Sequence, residues 1–150
     1  MLTDLTLASI HHLLVFGLVA ILVTQSVLLR GTVNGTVLRQ LGGIDRGYGI
    51  TAVLLLVVGL LRVFYGIKGY DFYLHNPWFH AKLTAFVLVG VLSIWPTVRF
   101  LRWRKAMKVD PAFLPSAAEI NGLKRIVRLE LMLVAVIFVC AAAMARYGGF

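Results

Sequence analysis

Four apolar stretches alternate with short polar ones, and each stretch is long enough for a helix through hydrocarbon. Residues 6–29 contain no Lys, Arg, Asp or Glu. About 20 apolar residues span a bilayer as a helix, so this stretch is read as a first span. It is too long for the apolar part of a signal peptide, and no basic segment precedes it. Thr3 or Asp4 caps its start and Arg30–Gly31 ends it. Asn34, Gly42 and Gly43 mark a first loop. A second span is expected over about residues 47–66. Its charge-free core, residues 47–61, is too short to cross alone, so Arg62 falls inside the span near one end. The next loop carries Lys68, Tyr70, Asp71, Tyr73, His75 and Asn76.

Pro77 or Trp78 opens a third span, since proline suits a first helical turn. It runs over about residues 78–102, with a kink expected at Pro96. After a basic loop, Ser116-Ala-Ala-Glu119 has the form of a capping box, and a fourth span is expected over about residues 117–146. Its first turns would be amphipathic and lie outside the lipid. Helices are required at this depth, because an isolated strand leaves backbone groups unpaired in hydrocarbon. The expected fold is all-α, a four-helix transmembrane bundle forming one domain over residues 1–150.

Composition strengthens this. Of 150 residues, 60% are hydrophobic and only 14% charged, against about 25% charged in soluble domains. Mean hydropathy is +0.89. The single cysteine, Cys140, lies in an apolar run and excludes an internal disulfide or a cysteine cluster for zinc or iron–sulfur. It reads as a small buried hydrophobe.

The net charge of +9 would suggest nucleic acid on a soluble protein. Here its distribution gives another meaning. Of 15 basic residues, 11 (Arg30, Arg39, Arg46, Arg99, Arg102, Arg104, Lys105, Lys108, Lys124, Arg125 and Arg128) fall in or beside the first and third loops. Arg62, Lys68, Lys82 and Arg146 fall on the other side. The positive-inside rule then places the basic loops in the cytoplasm and both termini outside, in a bacterial inner membrane. Anionic lipid is an expected partner of those loops. Nucleic acid is not, and a homo-oligomer is among the assemblies the sequence allows.

All four histidines fall on the outer side: His11 and His12 early in the first span, His75 in the loop, His80 in the first turn of the third span. Arg62, Lys68 and Lys82 share that depth. Ionisable groups in a span are expensive and suggest function. Imidazoles on two packed helices can hold haem b iron from opposite faces, with Arg62 and Lys82 pairing the propionates. Successive residues on a helix differ by about 100°, so only one of His11 and His12 can face such a site. The competing use is structural: His, Lys and Arg near helix ends snorkel to water, while Tyr and Trp form an interfacial belt. No other metal centre is expected, for lack of a nearby carboxylate or thiolate.

Glu130, early in the fourth span, is expected to pair with Arg128, Arg46 or Arg39, with a proton relay as the functional alternative. Gln25 reads as interhelical glue, and Gly17, Ala20, Thr24 and residues 141–145 as small packing faces. No charged residue is expected at the centre of a helix, which disfavours a solute channel.

Two runs carry a resemblance: Leu60-Leu-Arg-Val-Phe-Tyr-Gly-Ile-Lys-Gly69, and Tyr73-Leu-His-Asn-Pro-Trp-Phe-His-Ala-Lys-Leu83. With Pro96-Thr-Val-Arg-Phe100, they resemble an uncharacterised bacterial membrane family, the domain of unknown function 2214, over essentially the whole chain. More distantly, the layout is similar to the bacterial haem-binding membrane protoporphyrinogen oxidase and the copper-resistance D-type membrane domain. The matching features are an early histidine in helix 1, Trp78-Phe-His80-Ala-Lys82-Leu83 opening helix 3, and Arg128-Leu-Glu130 in helix 4. That likeness implies roles for His11 or His12, Lys82 and Glu130, with Lys82 and Glu130 as catalytic candidates. The oxidase pattern has a further histidine where this chain has Ser93 or its neighbours. Three functions follow as expectations: a b-type haem or redox membrane protein, a non-enzymatic membrane subunit or small transporter, or a porphyrinogen-oxidase-like enzyme.

Overall fold

The computed structural model describes residues 2–66 and 69–147. It contains four long helices and one short one: α1 (Leu2–Arg30), α2 (Gly35–Tyr65), α3 (Gly69–Leu74), α4 (Pro77–Val109) and α5 (Ala117–Arg146). The four long helices are each apolar enough to cross a membrane. Lys68 lies outside the described residues.

Polar side chains set the helix starts. Asn34 accepts from Val37 N at 3.0 Å, and Asn76 accepts from Trp78 N at 3.0 Å ahead of Pro77. The capping box closes as expected: Ser116 Oγ accepts from Glu119 N and Glu119 Oε2 accepts from Ser116 N, both at 3.2 Å. Gly66 ends α2, its N–H donating to Arg62 O at 3.0 Å. A Cβ there would collide with that same carbonyl. Gly69 follows with φ +72°, a left-handed backbone that suits glycine.

Three helices exceed their expected bounds. α1 begins at Leu2. α2 starts at Gly35, twelve residues before the expected 47, so Gly42 and Gly43 are helical rather than loop. The reason is a buried stripe, Leu38, Leu41, Asp45 and Tyr48, at helical spacing. That stripe anchors the segment and outweighs the loop tendency of two glycines, each worth about 1 kcal/mol against alanine. α4 runs on to Val109 because Phe100 and Trp103 are buried against Leu123 and Val127 of α5. α4 is helical through Pro96, which is fully buried.

Among the described residues, α1 packs on α2 and α5, and α4 packs on α2 and α5. The diagonal pairs, α1 with α4 and α2 with α5, make no backbone approach. The helices therefore form a four-membered ring, and only side chains meet along its axis. One apolar cluster, around Leu41, Trp103 and Leu123, fills the end bearing the basic loops. A second, around Leu22, Leu55 and Val89, fills the middle. Outward residues are apolar too: Leu13, Phe16, Val53, Ile94 and Val139 are all exposed. Only 11–22% of each span's most apolar window is buried within the chain, which leaves the remaining surface for lipid.

Candidate functional site

At the end where α1 and α4 begin and α2 and α5 finish, the ring opens into a groove of about 130 Å³. His11 enters from α1, Arg62 from α2 and Lys82 from α4, between walls that include Val15, Phe86 and Ile137. Counted at 1.5 Å per residue, Arg62 lies about 5 Å from the end of α2 and Lys82 about 8 Å from the start of α4. Both cations are partly buried. Lys82 and Arg62 act on one another electrostatically, and both act on His11. Arg62 Nε and His11 Nδ1 are buried and have no hydrogen-bond partner. Among the described residues the ion pair is Arg99–Glu119, at the other end of the bundle. The imidazole lies against α2 at Gly59, where an added Cβ would stand 3.6 Å from His11 Cε1, an ordinary contact.

The other histidines are engaged elsewhere. His12 Nδ1 donates to Ala8 O at 2.6 Å, and its side chain is exposed. His75 Nδ1 donates to Asp71 O at 2.9 Å. His80 Nε2 donates to Leu74 O at 2.8 Å, tying the start of α4 to the end of α3. His80 does not line the groove, whereas its neighbours Tyr73 and Phe79 do. Of the expected site residues, the fold thus brings His11, Arg62 and Lys82 together and leaves His12 and His80 outside. Haem held between two histidines does not fit this arrangement. One imidazole faces the groove, and pockets for ligands of drug size hold about 300–1,000 Å³.

Glu130 is placed differently from expectation. Arg39, Arg46 and Arg128 are exposed, while Glu130 is 1% exposed and turned to the bundle axis. Its electrostatic neighbour is Asp45 of α2, not an arginine. Gln25 and Thr97 are neighbours of Asp45, and Ser93 of Tyr48, while the Ser93 and Thr97 hydroxyls donate to Gly90 O and Ser93 O within α4. Asp45 escapes the sequence reading because the segment before residue 47 reads as loop, and the stripe from Leu38 to Tyr48 is the signal that finds it. Tyr48 and Thr97 fall inside the expected second and third spans, where nothing local marks which face turns to the axis. Glu130 sits near the middle of α5, about 20 Å from its start at 1.5 Å per residue, so a charged residue is centred in a helix after all. The small face of helix 1 is also corrected: Ala20 and Thr24 are exposed, and Thr24 Oγ1 donates to Ala20 O at 2.8 Å.

Four apolar spans ringed around buried polar groups define an integral membrane protein of the helix-bundle class. More narrowly, the chain belongs to the DUF2214 family, described as predicted membrane proteins, whose profile matches residues 3–149. No curated protein and no solved structure matches it. The likeness to the haem-binding oxidase and copper-resistance domains therefore rests on the short motifs alone.

Proposed function

We propose that this protein binds an anionic amphiphile from the membrane, with the acidic head held by Arg62 and Lys82 and the apolar tail lying along the groove. The observation that carries this is the cation pair, two like charges partly buried at one site, with the salt bridge found among the described residues lying at the far end of the bundle. Placing two cations in a poorly solvated site is unfavourable unless an anion joins them. Arginine suits a carboxylate or phosphate through its planar fork, and lysine adds a point charge. The groove is flanked by exposed Leu56, Leu60 and Leu83, so an acyl or prenyl chain could reach it laterally. His11 would add a hydrogen bond to the head. In this reading the protein lies in a bacterial inner membrane, with the groove toward the outer leaflet and the basic loops against anionic lipid in the cytoplasm.

The test is binding of a fluorescent fatty acid to protein in nanodiscs, with native mass spectrometry of co-purified lipid. Arg62→Gln and Lys82→Gln should each weaken binding at least tenfold, and the double variant should abolish it. Equal binding by wild type and double variant would sink the reading. An absorption spectrum of the same preparation, oxidised and then reduced with dithionite, addresses haem. A Soret band lost in His11→Ala would make the acidic ligand a porphyrin, with Arg62 and Lys82 on its propionates. A band lost in His80→Ala would require His80 to leave Leu74.

A further inference from the structure

Away from the groove, all four long helices send polar side chains to one place on the axis. These are Gln25 from α1, Asp45 and Tyr48 from α2, Ser93 and Thr97 from α4, and Glu130 from α5. Gln25, Asp45, Tyr48 and Glu130 are 2%, 7%, 4% and 1% exposed. Asp45 lies between Leu41 and Tyr48 on α2, and Glu130 between Val127 and Val134 on α5, so both buried carboxylates fall in the layer that separates the two apolar clusters, where they act on one another electrostatically.

The cluster is incomplete. Glu130 Oε1 has no hydrogen-bond partner, and neither has Gln25 Nε2, which falls short of a closed bond to Asp45. Among the described residues, the side chains acting on the two carboxylates are Gln25 and Thr97 and the carboxylates themselves, with no Lys or Arg among them, and the arginines next in sequence, Arg46 and Arg128, are exposed. Two carboxylates cannot remain as uncompensated charges inside a bundle surrounded by hydrocarbon, because each would lose its hydration without gaining a partner. At least one positive charge must join them, which lowers the pair from −2 to −1 and removes the repulsion between the two carboxylates.

We propose that Asp45 and Glu130 together bind one small monovalent cation, a proton or a sodium ion. Tyr48, Thr97 and the Gln25 amide complete its oxygen shell. A divalent metal suits the site less well. Among the described residues no third carboxylate or histidine joins the pair, and divalent ions favour several oxygen ligands with retained water. The site is separate from the groove and stands whether or not an amphiphile binds there.

The experiment compares wild type, Asp45→Asn, Glu130→Gln and the double variant in detergent. Thermal unfolding is followed from about pH 5 to 9, in sodium chloride and in choline chloride, with infrared spectra of each. If the ion is a proton, wild type shows a protonated-carboxyl stretch at neutral pH that disappears in Glu130→Gln or Asp45→Asn. The folded state then binds more protons than the unfolded one, so the wild-type Tm falls as pH rises, and the double variant loses that slope. If the ion is sodium, the wild-type Tm rises with sodium but not choline, and the variants lose the response. A wild type with neither the band nor the sodium response overturns the proposal. Those two wild-type readings decide even if a variant fails to fold.

Discussion

Trp103 shows how much one side chain can settle. It is 1% exposed, set edge-on to Phe100 with ring centroids 5.7 Å apart, and packed among Leu29, Leu41 and Leu123. Trp103→Ala should destabilise the bundle by about 3–5 kcal/mol, read as a lowered midpoint in detergent-mediated unfolding. Trp103→Phe should recover much of that. Gly66 has a backbone reason instead. Gly66→Ala forces its new methyl group onto the Arg62 carbonyl, so the end of α2 must shift and carry Arg62 with it. The expected result is weaker binding of the fatty-acid probe with little change in Tm, whereas Gly17→Ala, at a glycine with open space beside it, should alter neither.

At the scale of elements, caps and ion pairs differ in weight. Ser116→Ala removes the acceptor for Glu119 N and should cost about 1 kcal/mol, seen as faster amide exchange in the first turn of α5. Arg99 donates to Glu119 Oε1 at 2.8 Å and stacks 4.9 Å from the centroid of the Trp95 ring. Both partners of that pair are about a quarter exposed, so Arg99→Gln should cost no more than about 1 kcal/mol. Helix existence and type could be read from the sequence because apolar length and capping residues are local signals. Boundaries could not, where packing overrode local tendency: Leu38 and Leu41 hold Gly42 and Gly43 in a helix, and Trp103 prolongs α4. The candidate site was legible in part. Arg62, Lys82 and His11 share a depth, which sequence shows. Which imidazole turns inward depends on helix rotation, and Asp45 and Glu130 come to share one buried layer only through the ring order of the helices.

At the scale of the molecule, the basic loops make a prediction about orientation. Cys140 is the one cysteine, so Cys140→Ala gives a background for single-cysteine labelling. In intact cells, a cysteine at Thr3 should react with an impermeant maleimide, and one at Ala112 should react only after permeabilisation. The opposite pattern would invert the proposed topology and turn the groove to the inner leaflet.

The ring order also bears on how the molecule is put together. α1 with α2, and α4 with α5, form the two most extensive interfaces, each between helices consecutive in the chain, with the short α3 joining the two pairs. The protein is therefore two antiparallel hairpins that could enter the bilayer one after the other and dock afterwards as finished units. Neither polar centre exists within a single hairpin. His11 and Arg62 belong to the first and Lys82 to the second, and Asp45 and Glu130 are divided the same way. Two fragments divided just after Gly66 and expressed together should thus reassemble in the membrane, and ligand binding would report when docking is complete.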